Sequence, residues 1–294
     1  MGKICFLDND GTFSMEKPEN YSYLYFPIAG EKGLKSSITP NLGGDSKIHQ
    51  EAFLLEPVSS ENLHNNRSTR NFWCILENAG CWSATGASAE AENQKFTDGQ
   101  DAGKLTAGLM WQTVKRYSCK YKLESEITSF VALDDNVEVM YVRIHNVAKT
   151  DQKITPVAAV PIYGRSADNI RDHRNVTSML HRICTQQYGI TVKPTMSFDE
   201  KGHRRNHLIY FVAGAAGCGV KPCSFYPTVE AFVGEGGTFT HPEAVYREKD
   251  GMPAGVEIAG KEAMGGIRFE QVTLKPDETM KYVIIMGIAE QEDE

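Results

Sequence analysis

Apolar and polar residues alternate with a period of two along several stretches of the chain, and turn-forming residues separate these stretches. Residues 124–131 (ESEITSFV) precede the turn LDDN, and residues 137–147 (VEVMYVRIHNV) alternate in the same way before the turn AKTDQ. This alternation is typical of strands with one buried face. Residues 153–164 (KITPVAAVPIYG) return as an apolar strand. We expect these three strands to form an antiparallel meander.

The same scheme recurs through the second half of the chain. Residues 189–198 and 206–214 read as strands around the turn DEKGH, residues 224–234 follow as another strand, and KPDE separates two strands near the end. Long amphipathic helical patterns are scarce, and residues 176–183 fit either a helix or a strand. Strands at this spacing predict an all-β, mostly antiparallel protein with two packed layers. We expect residues 1–294 to form a single large β-sandwich domain.

Charge and hydropathy exclude several classes of protein. The net charge of −7 and the pI near 5.7 argue against a nucleic-acid binder, which needs a basic face to displace counterions. No apolar run approaches the ~20 residues of a membrane span, and the first residues, MGKICFLDNDGTF, lack a secretion signal. We therefore expect a cytoplasmic protein that contacts neither nucleic acid nor a membrane.

The seven cysteines form no recognisable framework. Their number is odd and no CxxC pair occurs, so we expect free thiols in a reducing compartment, with a structural zinc site as the alternative. No nucleophile elbow, P-loop, HExxH or dinucleotide-binding motif is present. The segment Gly43–Gly44–Asp45 is interpreted as a tight turn.

An unusually charged segment follows the apolar strand that ends near residue 162. Residues 161–183 (PIYGRSADNIRDHRNVTSMLHRI) contain four arginines, two aspartates and two histidines. Arginine binds anions and hydroxyls bidentately, and aspartate or asparagine orients arginine or accepts from hydroxyls. A loop at a strand end is also a common place for binding residues. The alternative is an Arg–Asp network that only stiffens a long loop. His173 and His181 would need further ligands to form a metal site.

A second polar segment, residues 59–80 (SSENLHNNRSTRNFWCILENAG), combines amides, arginines and aromatic rings. A sugar offers hydroxyl groups and one apolar face, and these side chains match both. The alternative is a polar loop whose groups bond one another and which leads into a strand with core aromatics.

These two segments carry a resemblance to a known family. Residues 21–74, with their order of Tyr, Pro, Gly-Gly-Asp and the Asn/Arg loop, and residues 161–183 resemble the N-terminal domain of the inverting phosphorylases of glycoside hydrolase family 94. The 1,2-β-oligoglucan phosphorylases are the most similar subgroup, and cellobiose phosphorylases are more distant. The resemblance extends over nearly the whole chain.

The resemblance implies a two-layer β-supersandwich of the galactose mutarotase type. In this family a catalytic (α/α)6 barrel follows, which holds the general acid and most of the phosphate site. Inorganic phosphate is the co-substrate there, no other cofactor is needed, and the product is an α-sugar 1-phosphate. We expect that the barrel is absent from this chain and that no catalytic residue can be assigned, so the chain alone would be inactive.

The expected function is that of a non-catalytic domain or subunit of a glycosyltransferase-type β-glucan oligosaccharide phosphorylase. It would support assembly with the barrel and homodimerisation, and it would lend loop residues to the sugar site. The alternatives are a stand-alone carbohydrate-binding module and a mutarotase-like epimerase, for which Asp168 and His173 would be the place to look. The expected substrate-binding residues are Arg165, Asp168, Asn169, Arg171, Asp172, His173 and Arg174, followed by Asn65, Arg67 and Arg70.

Overall fold

The structure, a computed structural model, describes residues 4–21, 24–58, 67–170, 174–199 and 202–290. Within these ranges, every strand pairing is antiparallel. Numbered in chain order, the strands are β1 (Cys5–Phe6), β2 (Phe13–Glu16), β3 (Phe26–Ala29), β4 (Lys35–Ile38), β5 (Ser46–His49), β6 (Ala52–Leu55), β7 (Asn71–Leu76), β8 (Gly80–Ser83), β9 (Ala102–Gly108), β10 (Trp111–Ser118), β11 (Leu123–Val131), β12 (Val137–Asn146), β13 (Gln152–Ile162), β14 (His181–Thr185), β15 (Gly189–Pro194), β16 (Met196–Asp199), β17 (Gly202–Arg205), β18 (Leu208–Ala216), β19 (Ser224–Thr228), β20 (Glu257–Ala259), β21 (Ala263–Arg268), β22 (Val272–Leu274) and β23 (Thr279–Glu290).

Helices in the described part of the chain are short. The α-helices are α1 (Ala89–Gln94), α2 (Arg174–Ser178), α3 (Val229–Val233) and α4 (Glu243–Tyr246), and 3-10 turns span Pro18–Asn20, Ala167–Ile170 and Gly217–Gly219. The ambiguous residues 176–183 therefore divide between the end of α2 and the start of β14. None of the helices in the described ranges is long and apolar enough to cross a membrane.

An eleven-stranded sheet forms one layer of the sandwich, in the order β1-β2-β9-β10-β11-β12-β23-β18-β15-β14-β20. Its central strands bury every second residue, as β12 does with Met140, Val142 and Ile144, while the residues between them stay half exposed. The alternation seen in the sequence therefore corresponds to one face against the core and one face toward solvent.

The second layer is a sheet with the order β19-β21-β13-β7-β8, to which β22 is added by pairing with β13. Both of its faces are buried: in β7, Phe72 and Cys74 pack into the core between the layers, while Trp73 and Ile75 point the other way. On that other side, α3 and α4 cover the sheet with Phe232 and Val245. The main core lies between the layers and a smaller core lies under the helices.

The expected meander of three strands is wrong in its third member. β11 and β12 pair as expected, but β13 leaves their sheet and pairs with β7 and β21 in the other layer. The reason is visible in the burial, because β13 is buried at nine consecutive positions from Ile154 onward and so needs cover on both faces.

Three later elements also differ from the prediction. The expected strand over residues 224–234 ends at Thr228, whose hydroxyl caps α3 by accepting from the Ala231 amide. A separate hairpin of β16 and β17 interrupts the strands expected around the DEKGH turn. The KPDE turn links strands of different sheets, since β22 pairs with β13 and β23 with β12 and β18.

A four-stranded sheet, β3-β4-β5-β6, completes the strand assembly of the described residues. The tight turn expected at residues 43–45 lies between β4 and β5, where Gly44 has a φ of +110°. All seven cysteines are free thiols, of which Cys74 and Cys81 are buried. The prediction of an all-β, mostly antiparallel supersandwich is confirmed. That residues 1–294 form a single domain stays a prediction.

Candidate functional site

The two polar segments found in the sequence meet at one end of the sandwich, where β13 ends and β21 begins. Glu56, Arg67, Tyr163 and Glu262 line a common cavity there, and Arg165 reaches Glu262 from the neighbouring turn. We call these five residues the Glu262 rim. The rim joins side chains that are far apart in the sequence, because β6 and β13 end and β21 begins at the same place.

The backbone around Arg165 is fixed by hydrogen bonds to the segment 50–54. The Phe53 amide donates to the Arg165 carbonyl (3.0 Å), the Tyr163 amide to Leu54 (2.8 Å) and the Ala167 amide to Gln50 (3.1 Å). Between them, Gly164 has a φ of +63°, which lets the chain turn away from β13. The segment that begins the charged run is therefore held against β6.

Arg165 is buried and its guanidinium is engaged on several sides. It donates to the Tyr163 carbonyl (3.0 Å), to the Thr177 hydroxyl (2.8 Å) and to Glu262 Oε1 (3.1 Å), and it lies over the Tyr163 ring at 4.7 Å. Its side chain is only 4% exposed. This is the geometry of a stabilising network in which Glu262 is an ion-pair partner of Arg165. The prediction that Arg165 binds substrate stays a prediction.

Arg67 is more open than Arg165. It is half-buried, lines the rim cavity, and lies over the Phe239 ring with its guanidinium carbon 5.8 Å from the ring centroid. Glu262 is 25% exposed and Glu56 is buried beside it. Arginine stacks on aromatic faces and carries its hydrogen-bond donors along the edge of a planar guanidinium. Arg67 and Glu262 are thus the rim groups best placed to meet a hydroxyl or a partner protein.

Asp168 and Asn169 lie on opposite sides of the 3-10 turn Ala167–Ile170. Asp168 is exposed; its backbone amide donates to the Ser166 hydroxyl at 3.3 Å, and that hydroxyl donates to the Asp168 carboxylate at 3.3 Å. Asn169 is 1% exposed and lines a small cavity together with Arg165, His181 and Asn206. Asp168 therefore faces solvent, whereas Asn169 faces the interior.

His181 is fully buried at the start of β14, in the same small cavity. Burial lowers the pKa of His181 to about 3, and the nearby positive charge of Arg165 acts in the same direction. The ring is neutral at pH 7. Backbone groups of Gly164 and Lys261 next to the ring act in the opposite direction and raise the pKa of His181, but burial dominates.

Arg70, also an expected sugar-binding residue, lies in the core. Its guanidinium makes a bidentate pair with Glu138, at 2.7 Å and 2.8 Å, and also donates to the Gly44 carbonyl at 2.6 Å. Both charged side chains are 0% exposed, and Ser36 donates to Glu138 at 2.6 Å. These bonds hold the turn between β4 and β5 onto the large sheet. Substrate binding by Arg70 stays a prediction, and the geometry gives it a structural role.

For the remaining expected site residues, the structure describes no side chain. Asn65, Arg171, Asp172 and His173 lie outside the described residues, and of Arg174 only the backbone, at the start of α2, is described. Of the two histidines considered for a metal site, the structure describes His181 but not His173. No group of three or more His, Cys, Asp or Glu side chains that could hold a metal ion occurs in the described ranges.

The sequence did not reveal the carboxylates that pair with the buried arginines Arg165 and Arg70. Glu262 is 97 positions from Arg165, and Glu138 is 68 positions from Arg70. Both carboxylates sit in ordinary strand or turn contexts, and no local signal distinguishes them. A buried arginine is costly without a carboxylate partner, so a prediction that these arginines are buried is the one signal that would have indicated such partners.

The rim brings together two guanidinium groups, two carboxyl groups and an aromatic ring. An inverting phosphorolysis needs a positioned general acid and a bound nucleophile. Within the rim, Glu262 accepts from Arg165 and Glu56 is buried; Asp168, which lies outside the rim, is exposed. Cation, carboxylate and aromatic ring together suit hydrogen bonding to hydroxyls.

Comparison with known proteins adds a family assignment. The family model "Glycosyl hydrolase 94, supersandwich domain" matches residues 52–294. No curated protein matches the sequence.

Similar solved structures include proteins of several activities. A kojibiose phosphorylase from the human microbiome has 10% identity and a TM-score of 0.48, with 96% of this chain and 33% of that chain covered. A bacterial glucoamylase complexed with acarbose has 8% identity and a TM-score of 0.43, with 89% and 31% covered. An aldose 1-epimerase from Escherichia coli K12 has 8% identity and a TM-score of 0.47, with 91% and 99% covered. This chain spans about a third of the phosphorylase and glucoamylase chains. Such identities and TM-scores carry no information on activity.

Proposed function

The chain belongs to the glycosyl hydrolase 94 supersandwich family, and on this basis we propose that it is the non-catalytic domain or subunit of a cytoplasmic β-glucan oligosaccharide phosphorylase. In this proposal a catalytic (α/α)6 barrel carries the general acid and most of the phosphate site. The assembled enzyme is a homodimer that converts β-glucosides and inorganic phosphate reversibly into α-glucose 1-phosphate. The supersandwich supports the assembly and borders the sugar site.

The Glu262 rim is the observation that carries the proposal. It brings Arg67 and Arg165, from the two segments on which the family resemblance depends, to one end of the sandwich. Arg165 is committed to Glu262 and Thr177 and fixes the shape of the rim. Arg67, half-buried over the Phe239 ring, is the more exposed of these two arginines, and in this proposal it borders the ligand or the barrel. The rim thus has a rigid part and an accessible part.

The experiment is an Arg67→Ala substitution in the enzyme assembled from this chain and a family 94 barrel. Glucose 1-phosphate release from β-1,2- and β-1,4-glucooligosaccharides is measured, together with urea unfolding of this chain. We expect turnover to fall at least about tenfold, the effect of losing ~1.4 kcal/mol of transition-state stabilisation, with little change in the unfolding midpoint.

The matched control is Arg143→Ala. Arg143 is a half-buried arginine on the outer face of the large sheet, paired with Glu126 at 3.0 Å and remote from the rim. It should leave turnover unchanged. Equal turnover in the Arg67→Ala and Arg143→Ala enzymes would refute a role of the rim in the sugar site.

A further inference from the structure

A second cavity, of about 470 Å³, lies between the edge strands of the two main sheets. β19 ends the smaller sheet and β20 ends the larger one, and the segment 249–252 closes the space between them. β19 contributes Phe225, Tyr226 and Thr228 to the cavity lining, α3 contributes Glu230 and Ala231, and β20 contributes Ile258. The volume is within the ~300–1,000 Å³ range of small-molecule sites.

The walls of this cavity are held in place by hydrogen bonds. Met252 pairs with the edge strand at Phe225, amide to carbonyl in both directions, at 2.7 Å and 2.8 Å. The Tyr226 hydroxyl donates to the Lys249 carbonyl at 2.5 Å. The cavity is therefore preformed, and a ligand would not have to order its walls.

The lining combines apolar surface with balanced charge. Phe225, Met252 and Ile258 supply the apolar part. The charged lining residues are Lys249, Lys261, Glu230 and Asp250, of which Lys249 pairs with Glu243 outside the lining. Lys261 pairs with Glu230 at 2.7 Å, and their side chains are 51% and 73% exposed. Exposed pairs of this kind are worth only about 0–1 kcal/mol, so hydroxyl groups can exchange into them at little cost.

We propose that this cavity binds an uncharged saccharide the size of one or two sugar units. A pyranose has one apolar face and a ring of hydroxyls that both donate and accept, which matches an apolar wall edged by ammonium and carboxylate groups. The equal numbers of lysines and carboxylates disfavour an anion such as a sugar phosphate. The site is separate from the Glu262 rim: Glu230 and Lys261 face the cavity, while their neighbours Val229 and Glu262 face the rim.

Ala231→Phe is the test substitution, because Ala231 lines the cavity and a larger side chain there occupies it. Ala91→Phe is the matched control, since each alanine is half-buried in the first turn of a short helix and its amide donates 3.1 Å to a capping hydroxyl, of Thr228 or Ser88. Binding of glucose, cellobiose, the β-1,2-linked disaccharide sophorose and glucose 1-phosphate is measured by calorimetry and ligand-detected NMR.

We expect one uncharged saccharide to bind with a Kd of about 1 mM or tighter. Ala231→Phe should weaken this binding at least tenfold, while Ala91→Phe should leave it unchanged. Lys261→Gln, at an exposed position, is a second variant that does not depend on the packing of α3 and should weaken binding severalfold. Absence of saturable binding, binding of glucose 1-phosphate in preference to the uncharged sugars, or affinity that survives both cavity variants would overturn the proposal. Arg67 does not line this cavity. The binding measurement can therefore be interpreted even if the turnover test of Arg67→Ala refutes the rim hypothesis.

Discussion

Arg70 and Glu138 form a bidentate ion pair in the core, with both side chains completely buried. The pair links residues from β12 and from the segment before β7, and through the Gly44 carbonyl it also holds the turn between β4 and β5. An arginine that looks like a sugar ligand in the sequence thus joins three parts of the fold.

Removal of one partner should be costly, because the other charge is then left buried and unpaired. We expect Arg70→Met to lower the free energy of unfolding by roughly 3–5 kcal/mol, measured by urea unfolding. The control is Glu77→Gln, which removes the exposed Lys153–Glu77 pair and should cost about 0–1 kcal/mol. Equal midpoint shifts for the two variants would show that the Arg70 pair does not hold the fold.

The turn that Arg70 holds has its own requirement at Gly44. A Cβ at this position would lie 1.7 Å from the Ser37 carbonyl oxygen. Gly33 also has a positive φ, of +116°, but a Cβ there meets nothing within 4 Å. Gly44→Ala should therefore destabilise the protein by about 1–3 kcal/mol more than Gly33→Ala, measured by urea unfolding. Similar losses for both would mean that the turn relaxes without resistance.

Buried His181 should make stability depend on pH. Its pKa is about 3 in the folded protein and 6.5 ordinarily, so between these values the unfolded chain binds a proton that the folded chain does not. The contribution of neutral His181 to the free energy of unfolding is fully present above pH 6.5. It is lost as the pH falls below that value, by at most about 1.4 kcal/mol per pH unit. In unfolding curves between about pH 4 and pH 6, His181→Gln should flatten this slope.

His49→Gln is the comparison for that measurement, because the His49 side chain is 54% exposed. It should leave the slope as it is in the parent protein. If the free energy of unfolding depends on pH as steeply in His181→Gln as in His49→Gln, groups other than His181 cause the loss of stability in acid.

The local pattern of the sequence predicts the strands well and their partners poorly. Alternation in β11 and β12 identifies strands with one buried face, and both are found within one residue of the expected bounds. The same pattern says nothing about which sheet receives β13, because pairing depends on contacts distant in sequence. The one local clue is that β13 is apolar on both faces, which excludes a place in a sheet with one solvated face.

The candidate site shows the same division. Residue types in the two polar segments predict that arginines matter there, and the structure brings Arg67 and Arg165 to one rim. The role of Arg165 depends on Glu262 and that of Arg70 on Glu138, and only the folded chain brings these partners near. Arginines that bind a ligand and arginines that hold a fold look alike in a sequence, and burial separates them.

The central claim is that this supersandwich needs a catalytic partner to act on oligosaccharides. Its most direct test is to incubate the purified chain with β-1,2- and β-1,4-glucooligosaccharides and inorganic phosphate, and to measure glucose 1-phosphate. Because the described rim offers no free acid and nucleophile pair for inverting cleavage, we expect no product above a contaminant-controlled blank from the chain alone, and product once a family 94 barrel is supplied. Phosphate-dependent release of glucose 1-phosphate by the chain alone would contradict the account.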